Sequence, residues 1–180
     1  MRIIAGIAGG RLLVGPDGME TRPPTGRMRE AVFSSLGNAV GEASVVDLYA
    51  GTGSFGLEAL SRGAASVTFI ERNRRALRAL RVNVASIGLG GRVVAGDVAT
   101  IMQREETQYS LAFVDPPYAL SSEVVDGVLE ILSDLLEDGA IVILHRRRDR
   151  EPAVLRGTLR LTNRRRYGDA EVWWYTKEAE

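Results

Sequence analysis

From Ser44 onward the chain alternates short apolar runs with amphipathic segments of helical length, and few folds accept that alternation. The runs Val45–Tyr49, Ser66–Ile70, Arg92–Ala95, Leu111–Val114 and Ala140–Leu144 are the length of strands and largely apolar, as strands buried on both faces are. Between them, Ser54–Arg62, Asn73–Ser86 and Ser121–Leu136 read as helices; in the second, Ala76, Leu77, Leu80 and Val84 form an apolar stripe. Short strands separated by such helices predict a mainly parallel sheet covered on both faces.

The flanks read differently. Residues 2–5 and 11–14 predict a short hairpin around Gly6, Gly9 and Gly10, followed by a turn at Pro16-Asp17-Gly18. Pro23-Pro24 stops regular structure, and Thr25 caps a helix through Asn38 that puts Met28, Val32, Phe33 and Leu36 on one face. At the far end, Gly157–Thr162 and Glu171–Tyr175, joined around Tyr167-Gly168-Asp169, predict an antiparallel hairpin at the sheet edge. Strand alternation places Trp173 and Tyr175 on one face and Trp174 on the other, leaving that aromatic group to pack, to stack on bases, or to do both. With 180 residues and neither repeat nor linker, the chain reads as one compact domain. An N-terminal hairpin and arginine-rich helix (1–40) are appended to a core (41–180).

The chain has no cysteine and a single histidine, His145, so thiol chemistry and disulfides are excluded and no metal site is expected. It shows neither a secretory signal nor an apolar run of membrane-spanning length, which predicts a cytoplasmic protein with no membrane partner. Net charge is zero, yet residues 141–170 carry nine arginines against three acids, and Arg11, Arg22, Arg27 and Arg29 form a second basic group. Segregated positive charge of this kind supports binding to phosphates whatever the overall balance.

Asp47-Leu48-Tyr49-Ala50-Gly51-Thr52-Gly53-Ser54-Phe55-Gly56 follows a strand and opens a helix. Glycines at 51, 53 and 56 permit close backbone approach to a nucleoside cofactor. Glu71 ends the second strand, where a carboxylate reaches ribose hydroxyls, and Asp97 follows the third, placed to cap a helix or meet an adenine amine. A nicotinamide cofactor fits the glycines but not Asp47, whose acid suits a cationic ligand with an amino group, as in S-adenosylmethionine. No Gly-Lys-Ser or Gly-Lys-Thr occurs, so a Walker phosphate loop is excluded.

Asp115-Pro116-Pro117-Tyr118 then follows a buried strand, at the end of a parallel sheet where ligands bind. The prolines stiffen the backbone and leave carbonyls without competing donors. An amine conjugated with a base ring is a poor nucleophile, and acceptors on Asp115 and the Pro116 carbonyl can orient it toward an electrophilic methyl group. Tyr118 is placed to stack on an extruded base. His145, just beyond the last core strand, reads as a base, a packing residue or a phosphate contact.

The stretches Thr21–Phe33, Val46–Ala64 and Phe113–Tyr118 together resemble the bacterial 16S ribosomal RNA guanine-N2 methyltransferase family, and the resemblance spans nearly the whole chain. It implies a class I methyltransferase fold: an α/β, Rossmann-like sheet with helices on both faces, here with an antiparallel C-terminal edge and an N-terminal hairpin appendage. It further implies S-adenosylmethionine as cofactor, held by Asp47, Ala50, Gly51, Thr52, Gly53, Gly56, Glu71, Arg72, Asp97 and Val98. Asp115, Pro116 and Tyr118 would carry catalysis, and Arg22, Thr25, Arg27 and Arg29, with Tyr118, the RNA contacts. The implied partner is small-subunit ribosomal RNA in an assembled or assembling 30S particle, met by a monomer. The chain departs from the family in places: Pro24 and Gly26 stand where threonine and aspartate are usual, and the last core strand leads into His145-Arg146-Arg147-Arg148, where an acid is common. The competing functions are a DNA adenine-N6 or other base-amine methyltransferase, a noncatalytic RNA-binding assembly factor and, more remotely, a nicotinamide oxidoreductase.

Overall fold

The computed structural model describes residues 1–16, 26–148 and 158–179. Helix α1 (Gly26–Leu36) precedes strand β1 (Ser44–Leu48), and α2 (Ser54–Ser61), β2 (Ser66–Glu71), α3 (Arg74–Ile87) and β3 (Arg92–Ala95) follow. The chain continues through α4 (Val98–Met102), β4 (Tyr109–Val114), α5 (Ser122–Ser133), β5 (Leu136–Arg147), β6 (Leu159–Tyr167) and β7 (Ala170–Lys177). The described strands form one sheet in the order β3-β2-β1-β4-β5-β7-β6. Strands β1 to β5 pair in parallel, and the last two add an antiparallel edge. Strand order reverses between β1 and β4, which opens a crevice at their carboxyl ends.

Alternation along each strand divides the core into two layers. Val45, Phe69, Leu111, Phe113 and Ile143 meet α1, α2 and α3 on one face. Val46, Leu48, Ile70, Ala112, Val114, Val142 and Leu144 meet α4 and α5 on the other. Phe55 and Phe113 stack with centroids 4.9 Å apart, and Phe33 lies 5.4 Å from Phe113, so an aromatic cluster ties α1 to the floor of the crevice. Helix α3 starts where the Asn73 side chain accepts hydrogen bonds from the Arg75 and Ala76 amides, and ends at Gly88 with φ +71°.

The N-terminal hairpin is short, with one antiparallel bridge, Arg2 to Leu12. Flanking it, the Ile3 amide donates to the Arg11 carbonyl at 2.9 Å, the Gly10 amide to the Ile3 carbonyl at 2.9 Å and the Leu13 amide to the Met1 carbonyl at 2.8 Å, while residues 4–8 between its arms bond to α2. Glu58 accepts the Ile4 and Ala5 amides at 2.6 and 3.0 Å, and Ser61 Oγ accepts that of Ala8 at 2.9 Å. Gly6, at φ +80°, lies so close to α2 that a Cβ would fall 1.7 Å from the Ser61 carbonyl oxygen. Ile3, Ala8 and Leu13 join the same core cluster as Phe69.

Other boundaries shift for physical reasons. Helix α1 ends at Leu36 and tightens into a 3₁₀ turn over Gly37–Val40. Strand β5 runs past Leu144 through His145, Arg146 and Arg147, because β7 pairs with those polar residues from the other side. Strand β6 likewise includes Arg164–Arg166. Trp173 and Tyr175 face one layer and Trp174 the other, as alternation predicts, but all three are buried and unavailable for base stacking. The expected turn residues Asp17 and Gly18, together with Pro23, Pro24 and Thr25, lie outside the described residues. No described helix is long and apolar enough to cross a membrane, and the described residues contain no metal-binding cluster of His, Asp or Glu.

Candidate active site

The crevice is built from the ends of β1, β2 and β4. Tyr49, with φ +58°, and Gly51, with φ +57°, turn the backbone sharply out of β1. Gly53, at φ +84°, then leads into α2. The three loop glycines have different work. A Cβ on Gly56 would lie 2.3 Å from Phe69 Cε1 and 2.7 Å from Val67 Cγ1, so its role is to bring α2 against β2. At Gly53 a Cβ would lie 2.5 Å from Leu80 Cδ1. At Gly51 the nearest atom would be the Tyr49 carbonyl oxygen at 4.0 Å, so that glycine faces open space.

Three acids converge on this loop. Asp47 is only 1 % exposed and accepts the Gly56 amide at 2.9 Å. Burial pushes its carboxyl well above the ordinary range, the Gly56 hydrogen bond opposes that shift, and the charges of Asp115 and Glu71 add to it. Asp47 thus shapes the loop by holding the Gly56 amide. Glu71 accepts the Gly51 amide through Oε2 at 2.8 Å and the Arg72 and Asn73 amides through Oε1. One lone pair of Oε2 is left for an outside donor. Asp97 caps α4 by accepting the Thr100 amide and lies 3.6 Å from exposed Arg72. Ala50 and Val98 are buried at the ends of this arc, and half-buried Thr52 offers its carbonyl to Asn83 at 3.0 Å.

Asp115 leaves β4 with its amide bonded to the Leu48 carbonyl, which fixes it beside β1. Pro116 is buried while Pro117 and Tyr118 are exposed, Tyr118 by 44 %. His145 Nδ1 lies 2.6 Å from Asp115 Oδ1, and the His145 ring meets Tyr118 edge-on at 6.0 Å. The crevice thus joins an open glycine turn, an acidic field suited to a cation, and a carboxylate beside an exposed aromatic ring.

Around it the basic residues divide. Arg27 is exposed, and Arg22 and Thr25 lie outside the described residues. Arg29 corrects the expectation of an RNA-facing side chain: it is 2 % exposed and donates to the Ser54 and Arg2 carbonyls at 3.2 and 2.7 Å. Burial lowers its pKa, partly offset by the charge of Glu58. Arg146 is also buried and donates to the Leu120 carbonyl. Arg147, Arg148 and Arg164–Arg166 are exposed at the carboxyl end of β5, the same end of the sheet as Asp115. There Glu171 gathers Arg164, Arg166 and the Trp173 indole. Burial pushes the Glu171 carboxyl up, but these hydrogen bonds prevail and hold it below its ordinary value. Arg165 lies over the Trp174 ring at 5.3 Å.

Sequence reasoning missed two contacts at the crevice. Asn83 exchanges hydrogen bonds with the Val14 backbone and donates to Thr52, so it ties the N-terminal segment to the glycine loop. Its signal is a polar residue within the buried stripe of α3. The contact of His145 with Asp115 was signalled by position: each residue comes directly after an expected strand end, and adjacent parallel strands bring such residues together.

This sheet and crevice define a class I, Rossmann-like methyltransferase fold. Over residues 1–176 the chain matches the family described as conserved hypothetical protein 95, and it belongs to that family, with the small-subunit ribosomal RNA methyltransferase D proteins among its homologues. It is 40% identical over 139 residues to ribosomal RNA small subunit methyltransferase D of Escherichia coli strain K12, covering 77% of this chain and 67% of that protein. It is 32% identical over 185 residues to YlbH of Bacillus subtilis, covering 98% and 99% of the two chains. The solved structure of Escherichia coli yhhF superposes with a TM-score of 0.90 at 32% identity, covering 100% of this chain and 99% of that one.

Proposed function

We propose that this protein transfers the methyl group of S-adenosylmethionine to the exocyclic N2 amine of a guanine in small-subunit ribosomal RNA. The observation that carries the reading is the Asp115 carboxylate at the reversal point of the sheet, next to the glycine turn and to exposed Tyr118. The relative named ribosomal RNA small subunit methyltransferase D supplies the substrate class. The substrate is an assembled or assembling 30S particle, and the protein acts as a monomer in the cytoplasm.

The residues present fit the cofactor. The open space at Gly51 admits a ligand against the backbone, the spare lone pair of Glu71 suits a ribose hydroxyl, and Asp97 and Val98 suit the adenine. Ala50, Thr52, Gly53 and Arg72 complete the binding arc, Gly56 serves it by seating α2 against β2, and the acids Glu71, Asp97 and Asp115 favour a cation over a phosphate. When bound, S-adenosylmethionine supplies an electrophilic methyl group on a positively charged sulfur. Asp115 and the Pro116 carbonyl accept the hydrogens of the guanine amine, which turns its lone pair out of conjugation and into line. Tyr118 stacks on the extruded base. Exposed Arg27, together with Arg22 and Thr25 of the same segment, and the arginines at the ends of β5 and β6 hold the flanking phosphates.

The test is methyl incorporation from labelled cofactor into unmodified small subunits, naked small-subunit RNA and duplex DNA, with a chelator present. Incorporation into the ribosomal substrates without metal is expected. Incorporation into DNA alone, or none into any substrate by a protein that binds the cofactor, would reject the reading.

A further inference from the structure

Strands β4 and β5 run parallel with Val114 opposite Leu144, so the next residues, Asp115 and His145, arrive side by side on the layer that carries the glycine loop. The 2.6 Å contact between His145 Nδ1 and Asp115 Oδ1 needs a proton between the two atoms. An ionised carboxylate only accepts, so Nδ1 is the donor. The other ring nitrogen, Nε2, is buried with no partner among the described residues, while the residue as a whole is 5 % exposed. An unpaired lone pair is less costly to bury than an unpaired N–H of a charged ring, which favours the tautomer with its one proton on Nδ1. The same ring braces Tyr118 through its edge contact.

We propose that His145 is a positioning residue for the base amine: its Nδ1–H occupies Asp115 Oδ1, turns Oδ2 toward the amine, and supports the stacking Tyr118. This rests on the reading of Asp115 as the acceptor for the amine. The donor also dictates what an amide at position 115 can do. In Asp115→Asn, Nδ1–H captures the amide oxygen, so the amide NH2 faces the substrate, which is itself a donor. Remove the His145 donor and the amide is free to rotate and offer its oxygen instead. His145 therefore makes the site selective for a carboxylate, and the two substitutions must be coupled.

The test is a double-mutant cycle of single-turnover methyl transfer, with cofactor affinity and melting temperature measured on every variant. His145→Leu should lower the rate by about tenfold, roughly 1.4 kcal/mol, with cofactor affinity unchanged. His145→Asn, whose amide nitrogen takes the place of Nδ1, should recover to within about threefold of the original rate. Asp115→Asn should cost about 10²-fold in the original protein but only about tenfold when His145 is leucine. Because His145 is the only histidine in the chain, nitrogen-15 NMR of labelled histidine reads the pair without substrate or cofactor. The expected signature is a proton on Nδ1, none on Nε2, and a changed Nδ1 signal in Asp115→Asn. An additive cycle, leucine and asparagine variants equally impaired, or a proton on Nε2 alone would overturn the proposal. A wrong methylated base with the NMR signature intact would instead reject the substrate reading and leave the pair standing.

Discussion

Alanine at Gly51 and at Gly56 should separate two functions that one glycine-rich loop combines. Gly56 lies against β2, and its Cβ would come 2.3 Å from Phe69 Cε1 and 2.7 Å from Val67 Cγ1, both in the core. Overpacking of that kind costs about 1–3 kcal/mol, and contacts this far inside van der Waals distance put Gly56→Ala in the upper part of that range, about 2–3 kcal/mol. Alanine recovers about 0.8–1.0 kcal/mol of helix propensity in α2. The net loss is about 1–2 kcal/mol, which for a domain of this size lowers the melting temperature by roughly 2–8 °C. Gly51 meets nothing closer than 4.0 Å, so its substitution involves no clash. The left-handed backbone costs alanine about 1–2 kcal/mol, and the stiffer unfolded chain returns about 0.4–1 kcal/mol. Stability should therefore fall by about 1.6 kcal/mol or less, but the new methyl group projects into the space a cofactor would use. Cofactor affinity should drop at least about tenfold, or 1.4 kcal/mol. Thermal melts combined with titration calorimetry below the transition separate the two effects. If Gly51→Ala binds S-adenosylmethionine as tightly as the original chain, or Gly56→Ala melts at the original temperature, the division of labour is wrong.

Three further outcomes follow from the same geometry. Asp47 has its pKa raised by burial from an ordinary value of 3.8, so the stability it contributes is present below that value and lost as pH rises through the folded-state value. Asp47→Asn should accordingly stabilise the fold at neutral pH while weakening cofactor binding; melts from about pH 4 to pH 8 should show the gain vanish at the acid end, and a pH-independent gain would contradict the assignment. Arg29→Ala breaks two hydrogen bonds from a buried charged donor and should cost about 2–4 kcal/mol by denaturant unfolding; an unchanged midpoint would refute its structural role. Arg27→Ala should leave stability unaltered and reduce the salt slope of RNA association by about one; equal slopes would remove Arg27 from the interface.

The parallel core was legible because each strand is a short apolar run bounded by polar or glycine residues, and because local periodicity decides it. The loop at Gly51–Gly56 and the motif at Asp115–Tyr118 were legible for a related reason: both are contiguous and directly follow strands. What escaped depends on residues far apart in sequence. Polar His145–Arg147 look like a strand exit until β7 pairs with them, and Arg29 looks like a surface cation until the Arg2 and Ser54 carbonyls are brought to it. Asp47 looks like a ligand contact from its place near the end of β1, and only the fold shows that strand parity turns it inward to hold the Gly56 amide. The contact between Asp115 and His145, thirty residues apart, required knowing that β4 and β5 are neighbours in register.

The most direct measurement is a single-turnover methyl transfer to unmodified small subunits, followed by mass spectrometry of the methylated nucleoside, for the original protein and for Asp115→Asn. The account predicts one N2-methylguanosine per particle from the original chain. From Asp115→Asn it predicts a rate lower by about 10²-fold, roughly 2.7 kcal/mol, at nearly unchanged cofactor and particle affinity. A methyl group on any other atom, or Asp115→Asn transferring to the same guanine at the original rate, would contradict it.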